Sequence, residues 1–164
     1  MRKSNDNFNQ PINDWDVSNV GQMDQMFKNS TFNQPLNNWD VSNVVNMKEM
    51  FKNSSFNQPL NNWDTSNVFF LNNGFQGMFA NSNFNQDISS WTFTDNIFSD
   101  INLYDFIQNS AMDSQNYDLL LGRFVELGLE NGILDADGIA YCDVFTRQIL
   151  IDDLGWDIDN DELG

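Results

Sequence analysis

A thirteen-residue phrase is written three times near the start of this chain. It reads FNQPINDWDVSNV at 8–20, FNQPLNNWDVSNV at 32–44 and FNQPLNNWDTSNV at 56–68, with a weaker fourth copy, FNQDISSWTFTDN, at 84–96. Phe8, Phe32 and Phe56 are 24 residues apart and Phe84 follows after 28, and Trp15, Trp39, Trp63 and Trp91 keep the same spacing. A fixed period in this range restricts the fold more than any composition does. One unit cannot bury its apolar positions alone, so successive units must stack and share one core.

Within a unit, Leu36, Trp39, Val41 and Val44 spell L-x-x-W-x-V-x-x-V, the strand spacing of leucine-rich repeats with Trp in the second apolar slot. Trp39 and Val41 are two apart and share one strand face, which turns Asp40 and Ser42 to solvent. The second half changes period. Val44, Met47, Met50 and Phe51 make one stripe of a short helix, repeated by Val20, Met23, Met26 and Phe27. Ser42 stands where the N-cap belongs. The third copy is four residues longer, and its stripe of Val68, Leu71, Phe75, Met78 and Phe79 stays in phase because four residues is close to one helical turn. Pro35 and Pro59 fix φ ahead of the next strand, and the Asn and Gln of FNQ are expected to bond the turn backbone of neighbouring coils.

The expected fold is an α/β repeat solenoid. Its leucine-rich-repeat-like coils of about 24 residues each hold a short parallel strand and a short helix, with four coils over residues 1–96. Residues 97–164 are expected to form a mainly helical C-terminal cap ending in a short strand and an acidic tail. There Ile97, Ile101 and Tyr104 continue a helical stripe to near Asn109. A second helix is capped by Ser114 and faces inward through Tyr117, Leu120, Leu121, Phe124 and Leu127. A third runs from Asp143 as N-cap to Gly155 as C-cap, and Trp156 and Ile158 alternate as a last strand.

Asn is the compositional outlier, with 27 residues, 22 of them in the first 96. It is poor inside helices and strands and good at turns. The net charge of −17 is uneven: residues 1–96 hold 9 acids and 5 bases (−4), and residues 97–164 hold 15 acids and 2 bases (−13). Nucleic acid and anionic membrane both need Lys/Arg clusters that are missing here. Without His there is no Ser-His-Asp or Cys-His arrangement and no His metal site. No phosphate-binding glycine loop occurs, and no cofactor is expected. Cys142 stands alone and is read as a small buried hydrophobe. The segments DADG at 135–138 and DIDND at 157–161 are similar to calcium loops but lack the full spacing, so calcium is a minor possibility. No apolar run of membrane length and no signal peptide is visible. The chain opens almost at once inside a repeat, as expected of a piece of something longer.

One constellation follows from stacking in register. Asp16, Asp40 and Asp64 form a column on the exposed face, flanked by Asp14, Asn38 and Asn62 on one side and Ser18, Ser42 and Ser66 on the other. Coils about 4.8 Å apart would set each pair of carboxylates repelling by roughly 1 kcal/mol. The column is either a polar strip for a cation, a basic peptide or a glycan, or a set of carboxylates that accept backbone N–H bonds at the turn. The four Trp sit in leucine slots and are expected in the core.

The phrase FNQPLNNWDVSNV followed by M-x-x-M-F resembles the repeats of BspA-like leucine-rich-repeat surface proteins, a family also described through mycoplasma-type lipoproteins. SQNYDLLLGRF and YCDVFTRQILIDDLGW are similar to the endings of such proteins from Bacteroidetes. The resemblance spans about residues 8–158. It implies a secreted or surface-displayed solenoid for adhesion or for binding a protein or glycan, with no catalytic residues to transfer. A structural spacer that holds another domain off a surface is the other function weighed.

Overall fold

The computed structural model describes residues 8–68, 74–93 and 101–164. The expected stripe residues Leu71 and Ile97, the last three residues of the fourth copy and the division between 96 and 97 lie outside the described residues.

The repeats stack as expected from their period, but their backbone is not the expected one. Residues 8–68 and 74–93 hold no α-helix and no extended strand. The half read as helix is a train of tight turns. Met50 N–H donates to the Met47 carbonyl, Lys52 to Glu49 and Ser54 to Phe51, each three residues back. Between these turns Glu49 and Asn53 take left-handed conformations, with φ of 52° and 56°. A left-handed residue every four positions stops an α-helix from propagating. The apolar stripe survives nonetheless, because Val44, Met47, Met50 and Phe51 are all fully buried.

The same positions recur up the stack. Gln25, Glu49, Gly77 and Asp105 are left-handed, as are Asn29, Asn53, Asn81 and Asn109. Asn tolerates this conformation better than other residues with a side chain, which accounts for part of its abundance. Gly77 has a second reason, since an added Cβ would lie 3.3 Å from Glu49 Cγ in the coil before.

The N–H groups freed by these turns run between coils, and all in one direction. Those of Met23, Gln25, Phe27 and Asn29 donate forward to the carbonyls of Asn46, Lys48, Met50 and Lys52. Met47, Glu49, Phe51 and Asn53 donate to Gly74, Gln76, Met78 and Ala80; Gly77, Phe79 and Asn81 donate to Tyr104, Phe106 and Gln108. The row is polar, with N–H groups pointing toward the C-terminus of the stack and carbonyls toward its N-terminus. A parallel strand pair would alternate instead.

The half read as strand has its own reason for not being one. Trp39 N–H donates to Leu36 and Val44 N–H to Val41, while Ser42 N–H is taken by the Asp40 side chain. Ser42 is therefore the partner of an Asx turn and caps no helix. The expected facing does hold, with Trp39 and Val41 buried and Asp40 exposed. On this flank side chains supply the links between coils. Asn33 Oδ1 accepts from Asn57 N–H and from Gln58 Nε2. Asn37 Oδ1 accepts from Asn62 N–H, and Asn67 Nδ2 donates to the Ser42 carbonyl.

Inside, Phe27, Phe51 and Phe79 form one column with ring centroids 5.5 and 5.7 Å apart, and Phe32, Phe56 and Phe84 a second at 6.3 and 6.4 Å. Each such ring stabilises by roughly 1.5–3 kcal/mol on burial. Trp39, Trp63 and Trp91 join the core, whereas Trp15 is 60 % exposed because no coil among the described residues covers it.

The turn train runs on past residue 96. Instead of the expected helix ending near Asn109, Asn102–Leu103 form a short strand (β1) and Asp105 and Asn109 turn left-handed. Tyr104, read as part of an inward stripe, is exposed. Two helices follow. Ser114–Glu126 (α1) buries Tyr117, Leu120, Leu121 and Phe124, and its N-cap is Asp113 rather than Ser114. After Ile133–Asp135 (β2) and Ala140–Tyr141 (β3) comes Val144–Asp152 (α2), whose N-cap Asp143 accepts from Thr146 N–H. The helix ends at Asp153, and Gly155 turns left-handed two residues on. The strands Asp157–Asp159 (β4) and Glu162–Leu163 (β5) close the chain. β1, β2 and β4 pair in parallel in that order, as do β3 and β5. Cys142 is exposed rather than buried, because its N–H reaches out to Asp118 at the end of β3.

Candidate functional site

The column of carboxylates lies on the outer flank, and each member folds into its own turn. Asp16 Oδ1 accepts from Ser18 N–H at 3.1 Å and from Ser18 Oγ at 2.6 Å. Asp40 repeats this with Ser42 at 3.1 and 2.6 Å, and Asp64 accepts from Ser66 N–H at 3.0 Å. The serine hydroxyls, and then the backbone N–H groups, hold the carboxyls of Asp16 and Asp40 below the usual range, while the charge of Asp16 opposes this weakly at Asp40. Among the described residues nothing bonds the Oδ2 atoms of Asp16 and Asp40. Asn38 and Asn62 sit beside the column, both exposed, and their N–H groups donate to Asn13 and Asn37 of the preceding coils. Ser42 and Ser66 are half-buried. The sequence-based strip is thus brought together as one surface, with every Asp also in structural use.

Two polar clusters went unread in the sequence. On the turn-train face Glu49 bridges Lys28 of the coil before and Lys52 of its own coil. The hydrogen bond from Lys28 is the main reason its carboxyl stays below the usual range. The second cluster holds the C-terminus. Arg147 donates to both oxygens of Asp161, at 2.6 and 2.8 Å, and Tyr117 Oη donates to the same carboxylate at 3.0 Å. Arg147 also lies 4.8 Å over the Tyr141 ring. Burial, and then the charge of Asp161, push the Tyr117 phenol well above its ordinary value. The only available sequence signal for this clasp was that Arg147 is one of two bases in a strongly acidic half.

The two calcium-like segments lie side by side on β2 and β4, and several of their oxygens are already engaged. Asp135 accepts from Gln108 Nε2 and Asn160 Nδ2, and Asp137 from Asn109 Nδ2. Among the described residues no group of three or more His, Cys, Asp or Glu is arranged to hold a metal ion. No helix among them is long and apolar enough to cross a membrane.

A family model described as Mycoplasma protein of unknown function, DUF285, matches residues 1–117, which takes in the coil at 101–112 and the first turn of α1. No curated protein and no solved structure matches the chain.

Proposed function

The chain belongs to the family described as Mycoplasma protein of unknown function, DUF285, and from that premise we propose that it is a non-enzymatic binding module. In this reading it is a leucine-rich-repeat-like solenoid, secreted or displayed at a cell surface, that holds a protein or glycan along its outer flank. The observation that carries the reading is the state of Asp16 and Asp40. Each has one oxygen fixed by an Asx turn and a second to which no described residue donates. Carboxylates oriented before a ligand arrives lose little freedom on binding it. Asp64, Asn38, Asn62, Ser42 and Ser66 extend the strip with further donors and acceptors. Ammonium or guanidinium groups and sugar hydroxyls suit such a strip, and anionic partners do not.

The test begins with a glycan and extracellular-protein array probed with the full chain. A ligand found there is then measured against the double substitution Asp40→Asn and Asp64→Asn. An amide keeps the Oδ1 acceptor, so the Asx turns and the melting temperature should persist while affinity drops by about tenfold or more. Undiminished binding by the double variant would sink the strip.

A structural spacer with no ligand of its own is the second reading, and the near-identity of the three coils favours it. A spacer has no reason to vary its exposed face, and it predicts silence on every array.

A further inference from the structure

The stack has an unfinished end. In each inner coil, the carbonyls on the turn-train face accept from the coil before: Lys48 from Gln25 N–H, Met50 from Phe27 and Lys52 from Asn29. In the first coil their counterparts are the carbonyls of Asp24, Met26 and Lys28. Among the described residues no backbone N–H donates to these three. Beside them opens an apolar groove of about 490 Å³ lined by Phe8, Ile12, Trp15, Met26, Phe27 and Trp39. Trp15 and Met26 on its walls are 60 % and 47 % exposed, whereas the equivalents Trp39 and Met50 one coil on are buried beneath the first coil.

We propose that this end face is a docking surface for one further coil of the same repeat, presented by another polypeptide with its N–H row foremost. The occupant is argued from the interface already inside the molecule. The same face on the second coil is covered by the first, which brings a row of N–H groups to the carbonyls and a Phe and a Trp to the apolar floor. Chain polarity then chooses among partners. Two copies meeting through this face would set carbonyl row against carbonyl row, so a face-to-face dimer gains no backbone bonds there. A coil of the repeat supplies the complementary edge, as in strand addition at an open sheet edge. The surface is separate from the carboxylate column and does not depend on it.

The probe is a labelled 24-residue peptide with the sequence of residues 8–31, titrated onto the full chain and followed by fluorescence anisotropy. Saturable binding is expected. Methylating the peptide nitrogens at positions 25, 27 and 29 leaves the side chains in place and removes the three donors, and should weaken binding by at least about tenfold. Met26→Arg in the full chain, at an exposed position, should weaken it similarly while leaving the melting temperature unchanged. Absence of saturable binding, or equal binding by the methylated peptide, overturns the proposal. So does binding that emerges only after residues 1–7 are deleted, since the chain itself would then be the occupant. Self-association of the full chain that Met26→Arg abolishes would assign the face to a second copy and overturn it equally.

Discussion

The indole of Trp39 donates to the carbonyl of Ile12, 27 residues earlier, at 2.8 Å. Trp63 makes the same reach to Leu36, and Trp91 to Leu60 across the longer third coil, both at 2.9 Å. Trp156, far outside the repeats, does likewise to Leu129 at 2.7 Å. Each ring both fills the core and ties its coil to the one before. Trp39→Ala should therefore cost about 3–5 kcal/mol in equilibrium denaturant unfolding. Trp39→Phe should cost about 1–3 kcal/mol, because the Ile12 carbonyl is left buried without its donor. Trp15→Ala, at the open end, should cost less than about 1 kcal/mol.

The left-handed Asn column makes a ranked prediction. Asn53 has φ of 56° and its Nδ2 donates to Asn29 Oδ1 at 2.8 Å. Asn53→Gly keeps the conformation and loses only this exposed bond, so it should change stability by less than about 1 kcal/mol. Asn53→Ala adds the left-handed penalty of about 1–2 kcal/mol, and Asn53→Val should be worse because a β-branched side chain fits this region least. Melting temperatures in the order Gly, Ala, Val test the ranking, and equal values would contradict it.

These two columns also mark what could be read before folding. Period 24 identified which residues stack, and Phe32, Leu36, Trp39, Val41 and Val44 are all buried at the predicted positions. It could not identify the backbone between them. Apolar residues at i, i+3 and i+4 fit an α-helix and equally fit i to i+3 turns separated by left-handed residues. The Asn and Glu that decide between them look like surface residues in a linear pattern. The coil at 101–112 was hidden for a related reason: IQNS at 107–110 stands where earlier coils have FKNS and FANS, with Ile in place of Phe. Trp15 was misplaced because periodicity describes an inner coil and says nothing about an end. The carboxylate column was legible as a column, while the Asx turns that use it depend on a two-residue geometry seen only in the fold.

Asp105 occupies the left-handed column of Gln25, Glu49 and Gly77, and burial raises its carboxyl above the usual range despite the opposing charge of Lys52. A raised value means the folded chain disfavours the ionised form. The cost is present at pH values above the folded value, and it vanishes below the unfolded value of about 3.9. Asp105→Asn removes that cost and suits the left-handed backbone. It should raise the melting temperature at pH 7 by about 1–4 °C, with the gain closing by about pH 3. A gain that persists unchanged at low pH would show that the backbone, and not the charge, is responsible.

The Arg147–Asp161 pair supports the sharpest local prediction. The Asp161 side chain has no exposure and Arg147 keeps 19 %, so Asp161→Asn strands a guanidinium that water reaches only in part. Breaking a fully buried pair costs about 3–5 kcal/mol, and the residual access at Arg147 should bring this to about 2–3 kcal/mol. Removing both charges, as Arg147→Met with Asp161→Asn, should cost less than Asp161→Asn alone, because no unpaired charge remains. The loss should also be local. Asp161 sits between β4 and β5, where Glu162 N–H donates to Ile139 and Gly164 N–H to Tyr141. Hydrogen exchange in Asp161→Asn should therefore speed at Glu162 and Gly164 while the turn-train amides of Met47, Glu49 and Phe51 stay protected. Equal acceleration in both places would mean that the clasp holds up the whole stack, and the C-terminal segment would then be part of the solenoid's cooperative unit rather than a cover fastened to it.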